Sequence, residues 1–226
     1  MGLLGKLVGA SACLIGAGAE TIGKKIDNAF VKQEQKNLEY LSNYPYSHKY
    51  LIREVKHTMD DMSYAKEVGI EGDFFTAFNV NNEPTYFARN AHSPRKQRYE
   101  VMDMHYSEIA VIECKKAILS SDKRTCDIYM GDNRFTLSSN VIFDKRKFSI
   151  SDDSIKIKAN ETSKEIKIYR DGNVIIQINK VSSDLGVKWG EYVVGCNDKE
   201  NELFTILLGI AIGIMLMKSE NILDEK

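Results

Sequence analysis

Proline is scarce, with 3 among 226 residues, so the chain has little scope for long disordered linkers. An excess of charge of one sign is also missing: 31 Lys plus Arg stand against 32 Asp plus Glu, a formal net charge of -1. That balance lacks the basic footprint of a dedicated nucleic-acid binder, and no nucleic-acid partner is expected. The 4 cysteines, Cys13, Cys114, Cys126 and Cys196, include no C-x-x-C pair. Zinc ribbons and thioredoxin-type sites are thereby removed, and the dispersal predicts four reduced thiols in a cytoplasmic setting. His48, His57, His92 and His105 show no His-x-x-x-His spacing, and a Gly-x-Ser-x-Gly elbow, a P-loop and a Rossmann fingerprint are all lacking. No catalytic, cofactor or metal residues are therefore assigned.

What is present falls into three blocks. Residues 2–19, GLLGKLVGASACLIGAGA, carry Lys6 as their single charge and are rich in glycine, so something apolar must receive them. Lys6 is a late charge for the start of a secretory signal and a leucine-like residue is missing three places before Cys13, so a cleaved signal or lipoprotein anchor is the lesser reading of an apolar centre of suitable length. A myristoylation pattern begins at Gly2 but fails at Lys6. From Ile22 the apolar positions Ile22, Ile26, Ala29 and Phe30 recur at helical spacing with lysines between them. Residues 1–37 thus read as an apolar helical appendage. Its apolar face is suited equally to its own domain, to a partner chain or to a membrane surface. Residues 38–64 read as a connector leading into a first strand or short helix.

From about Asp73 onward the period changes to two. DFFTAFNVNNEPTYFARN sets Phe74, Thr76, Phe78 and Val80 on one face and turns at Asn81-Asn82, a hairpin signal. Further turns are expected around Tyr106-Ser107-Glu108, Gly131-Asp132-Asn133, Asp152-Asp153 and Asp171-Gly172. The last is a dipeptide that tolerates positive φ in a type I′ turn. A long antiparallel meander follows, closed as a sandwich or a barrel.

The chain then offers LFTILLGIAIGIMLM, residues 203–217, without a single charge. As a helix this run would be about 22 Å long, short of the ~30 Å hydrocarbon core of a bilayer. Burial in the protein's own core is the favoured reading. Asp198, Glu200 and Glu202 precede it and Lys218 follows, the order that a helix dipole prefers. A calcium loop would need Asp-x-Asp spacing and a turn glycine, which these acids lack. Residues 218–226 form a polar tail.

KIYRDGNVIIQINKVSSDLGVKWGEYVVGCNDKENELFTILLGIAIGI resembles the carboxyl half of the LURP-one-related family, which belongs with tubby C-terminal-like and phospholipid-scramblase proteins. The elements that carry the likeness are the strands around Asp171-Gly172, Ile176-x-Ile178-x-Lys180, Trp189 to Val194, the acids Asp198 to Glu202 and the apolar helix. DFFTAFNVNNEPTYFARN resembles the family's opening hairpin, so that residues 65–217 are covered. The resemblance implies a mainly β fold, an antiparallel tubby-like β-barrel of about twelve strands around a buried hydrophobic C-terminal helix, to which the N-terminal helical appendage is added.

Such a fold hosts several activities. Tubby proteins bind phosphoinositides, scramblase-like members work at membranes and many relatives have no assigned activity, so the expectation is a non-catalytic tubby-like module of unassigned activity, with lipid binding or tethering at a membrane surface through its N-terminal helix as its candidate roles. The alternatives are an interaction module whose N-terminal helix docks on a protein partner, and, with less support, a small-molecule-binding or hydrolytic barrel. Basic clusters occur at Arg95-Lys96-Arg98, Lys115-Lys116 and Lys145-Arg146-Lys147. Lys24, Lys25, Lys145, Arg146 and Lys147 are the candidate contacts to an anionic lipid surface, each worth about 1 kcal/mol near such a surface. The expected location is cytoplasmic with peripheral attachment to a membrane.

Overall fold

The computed structural model describes residues 31–55, 74–92, 96–115, 124–142, 145–160, 164–181 and 191–216. The apolar segment 2–19, Lys24 and Lys25, Trp189 and the tail 218–226 lie outside the described residues.

A helix, α1, occupies residues 31–42. Twelve strands follow: β1 His48–Val55, β2 Phe74–Phe78, β3 Pro84–His92, β4 Lys96–Met102, β5 Glu108–Lys115, β6 Arg124–Met130, β7 Asn133–Ile142, β8 Lys145–Ile150, β9 Ile155–Ala159, β10 Glu165–Arg170, β11 Asn173–Val181 and β12 Glu191–Cys196. A short 3-10 turn, Lys199–Asn201, leads into the last helix, α2, Glu202–Leu216. Every ladder is antiparallel, in the order β8-β7-β6-β5-β4-β3-β2-β1-β12-β11-β10-β9. β1, which falls in the expected connector, is the strand that joins the two halves. It pairs with β12 through His48↔Cys196 to Arg53↔Glu191 and with β2 through Leu51↔Phe78 to Val55↔Phe74. β8 and β9 stand side by side at the two ends of this order and complete a nearly closed barrel.

The alternation of side chains explains the interior. Ile128, Leu137, Phe148, Ile155, Ile166, Ile168, Ile176 and Ile178 all point inward and are buried. In β2 Phe75 and Ala77 enter the core, while Thr76 and Phe78 share the outward face. A second apolar layer lies outside the barrel, so both faces of β2 are covered and its alternation carries no direction.

α2 packs against β12 and β1 on one side of the ring and β5 and β6 on the other, so it runs through the interior. Every residue from Phe204 to Met215 is buried. No helix among the described residues is long and apolar enough to cross a membrane. The chain's most hydrophobic described segment is spent on its own core. The Phe204 ring lies 4.8 Å from that of Phe135, centroid to centroid. Asp198 caps the 3-10 turn by accepting from the Glu200 amide at 3.0 Å, so the acidic run serves helix initiation. Among the described residues no group of acids, histidines or cysteines is arranged to hold a metal ion.

The described part of the appendage lies on the outside of this barrel. Leu41 and Tyr44 pack on the outward side chains Leu51 and Val193, joined by Tyr46, Phe78 and Val181. Gly195 of β12 makes room for this: a Cβ there would stand 2.8 Å from Tyr46 and 2.9 Å from the Tyr44 ring. Polar contacts extend the attachment. Asn37 donates to Glu191, which also accepts from Arg53 at 2.8 Å, and Arg53 reaches Glu34 at 3.4 Å. The helix therefore continues past residue 37, the expected end of the appendage, and is docked on both sides of it.

One expectation is overturned. Cys114 and Cys126 are direct partners across β5 and β6, with Cα atoms 4.0 Å apart, and their sulfurs are joined in a disulfide. Sequence dispersal hid this, because twelve residues separate two positions that a hairpin brings into register. Cys196 is a buried free thiol, pushed above the usual thiol range by burial. Alkylation of the denatured, unreduced protein should leave Cys114 and Cys126 unmodified and label Cys196, as read by peptide mass spectrometry. Labelling of all three would return the account to free thiols.

Candidate anionic-surface interface

The antiparallel order sorts the connections by end. The tight turns 79–83, 103–107, 131–132, 151–154 and 171–172 gather at one end, with the start of α2. At the other end β1, β3, β5, β7, β9 and β11 finish, beside the last described residues of α2. Both ends are built by local chemistry. Asp171 and Gly172 take φ of 51° and 84°, as a type I′ turn requires. Asp103 and Asp152 fold their side chains onto the following backbone amides, Asp103 on His105 and Ser107, Asp152 on Ser154.

The turn end is rich in acids, with Glu83, Asp103, Asp132, Asp152, Asp153, Asp171, Asp198 and Glu200. Inside its mouth, Glu202 at the start of α2 accepts from Tyr50 at 2.6 Å and Tyr86 at 3.3 Å and faces His48 at 3.4 Å. Burial and the neighbouring carboxylate raise both phenols, Tyr86 to about 12. These groups stay protonated as donors, and they fix the first turn of α2 to β1 and β3. None of the described candidate residues, Lys145, Arg146 and Lys147, lies here.

The opposite end collects the basic clusters. Lys96 and Arg98 begin β4, Lys115 ends β5, and Lys145, Arg146 and Lys147 begin β8. Lys96 is the direct partner of Lys115. Three runs separated by up to 51 positions in the chain are thus brought to one rim by the hairpins. Arg124 at the start of β6 joins them. It points inward and donates to the Met215 carbonyl at 2.6 Å, which satisfies the C-terminal end of α2. Arg146, also inward, donates to the buried Ser139 hydroxyl at 3.0 Å. Lys115 and Lys147 face outward and are exposed.

Among the described residues, three acids of this end are engaged. Glu113 holds Arg98 at 3.2 Å, Glu191 holds Arg53 at 2.8 Å, and Glu165 holds Lys167 at 3.1 Å and raises its ammonium pKa. Arg98 is therefore spent within the ladder Arg89, Glu100, Arg98, Glu113 across β3, β4 and β5. Beside it Asp127 is held below the usual carboxylate range: burial alone would raise it, and hydrogen bonds from Thr136 and Arg134 outweigh that effect. The rim's outward positive charge thus rests on lysines, with Arg124 and Arg146 behind them. Sequence reasoning named Lys145, Arg146 and Lys147 but passed over Arg124, which follows Lys123 in a Lys-Arg pair. Only the meeting of strand order and helix end shows its place.

The profile of the LURP-one-related family matches residues 64–213. The chain belongs to that family. Among solved structures, it is similar to the crystal structure of a protein from Arabidopsis thaliana, at 9% identity and a TM-score of 0.43, covering 76% of this chain and 94% of that one. No curated protein matches the chain significantly. β1, which joins the two halves of the sheet, and α1 both precede the matched residues.

Proposed function

We propose that this protein is a non-catalytic module that sits end-on against an anionic membrane surface, with the basic rim toward the lipid. The observation that supports this reading most is the gathering of Lys96, Lys115, Lys145, Arg146 and Lys147 at one end of the barrel, opposite the acidic turns. Such a separation of charge orients a molecule before contact: the basic end is drawn to the surface while the acidic end is repelled. Lysine suits this role, because its ammonium group binds as a compact charge without demanding one geometry. The apolar segment 2–19, followed by Lys24 and Lys25, is the second element of the attachment: its leucines enter the acyl boundary and the lysines lie at headgroup level.

Neither element alone gives firm anchoring, and two weak signals together do. Flotation with vesicles containing about one fifth phosphatidylserine is the test, at roughly 1 kcal/mol per basic residue near the surface. Lys115→Glu with Lys147→Glu should lower binding at least tenfold at low salt and leave the melting curve in place. Binding that is indifferent to both substitutions and to phosphatidylserine would defeat the reading.

A further inference from the structure

Two neighbouring turns at the acidic end carry apolar side chains that the fold leaves in water. Turn 79–83 joins β2 to β3, turn 103–107 joins β4 to β5, and β3 pairs with β4, so the two turns stand side by side. Val80, Met104 and Tyr106 on these turns are 43%, 46% and 45% exposed. Apolar residues scattered singly over a surface are ordinary. Here, however, half of the six large hydrophobic side chains exposed among the described residues gather on two adjacent turns.

Both turns are held in shape before any contact is made. In the first, the Asn79 carboxamide oxygen accepts from the amides of Asn81 and Glu83 at 2.9 and 3.0 Å. In the second, the Asp103 carboxylate accepts from the amides of His105 and Ser107 at 2.8 and 3.0 Å. Tyr106 takes a φ of 59°, a left-handed backbone that a bulky side chain adopts only at a cost. Its ring stacks on that of Phe87 in β3, with centroids 6.0 Å apart and planes 18° from parallel, yet nearly half of the residue stays in water. Side chains presented on turns already fixed lose little freedom on binding, and tyrosine and methionine are enriched where proteins meet.

Charge selects the partner. The two turns and the first residue of β5 hold Glu83, Asp103 and Glu108 and no lysine or arginine. We propose that turns 79–83 and 103–107 form a docking surface for a cationic amphipathic segment of another protein. Val80, Met104 and Tyr106 take the apolar side of that segment, and the three carboxylates face its lysines or arginines. The same carboxylates repel an anionic lipid surface. This surface lies at the end opposite the basic rim, and the inference stands whatever the rim meets.

The experiment follows the amide chemical shifts of the isotope-labelled full chain during titration with a synthetic peptide that has leucines on one helical face and lysines on the other. Amides of residues 79–83 and 103–108 should shift, more at low salt than at high salt, and a counterpart peptide with glutamate in place of every lysine should leave them unmoved. Val80→Ser with Met104→Ser removes the apolar anchors, and Glu83→Gln with Glu108→Gln removes charge at nearly equal size. Each pair should bind the lysine peptide at least about fivefold more weakly, with the melting curve unchanged. Undiminished binding by either pair, or shifts that fall elsewhere on the barrel, would overturn the inference. A response of the same amides to neutral phosphatidylcholine vesicles and none to the peptide would also overturn it, by assigning the surface to lipid.

Discussion

Gly209→Leu should lower the melting temperature by several degrees or prevent folding. Gly209 lies in the middle of α2, where even a Cβ would stand 2.5 Å from the Ile52 side chain and 2.7 Å from that of Val194. β1 and β12 approach the helix at that level, and Val194 cannot yield by swinging a long flexible end. Inserting a side chain into a close-packed interior costs about 1–3 kcal/mol or more, and a shift of this size is readily seen in a thermal melt. Gly213 provides the internal comparison. A Cβ there meets the Tyr192 ring at 3.1 Å and Phe75 at 3.6 Å, so Gly213→Ala requires a small movement and gains up to about 1 kcal/mol of helix propensity. It should be close to neutral, whereas Gly209→Ala should destabilise. Equal behaviour of the two alanine variants would mean that α2 does not run between these walls.

Removing α1 should have the second large effect. A chain that starts at Val31 keeps the described α1 and sets the reference melting temperature. A chain that starts at Asn43 loses Leu41, which is 0% exposed, and the Asn37 contact to the Arg53 and Glu191 pair. Burial of one large aliphatic side chain, with the cavity its loss leaves, is worth about 2–5 kcal/mol. Leu41→Ala in the full chain should reproduce most of the loss. An unchanged melt for the chain starting at Asn43 would show that α1 is a passenger on the barrel and does not stabilise it.

The sequence was most legible where a single physical demand acted on a segment. A run with no charge over fifteen positions, too short for a bilayer, favoured the core over a membrane span, and α2 occupies Glu202–Leu216, buried from Phe204 to Met215. Turns written in Asp-Gly and Gly-Asp appear at residues 171–172 and 131–132. Legibility failed where two demands overlapped. β2 is covered on both faces, so the shared face of Thr76 and Phe78 did not tell which side is inward. β1 is flanked by α1 and buried through both Leu51 and Ile52, which erased its alternation and left it in a connector. The pairing of Cys114 with Cys126 depends on hairpin register, which composition does not express. The same holds for the rim: each basic cluster was visible, but their assembly required the strand order.

The measurement that bears most directly on the central claim is the orientation of the barrel on lipid. A fluorophore attached at Asn140→Cys reports on the basic rim, and one at Asp132→Cys reports on the acidic turns; both positions are exposed. Cys13 and Cys196 are replaced by alanine in both proteins. On vesicles with phosphatidylserine, quenchers carried in the bilayer should reduce the signal from position 140 and leave that from position 132 unchanged. Quenching at position 132, or at neither position while the protein remains vesicle-bound, would contradict the end-on arrangement.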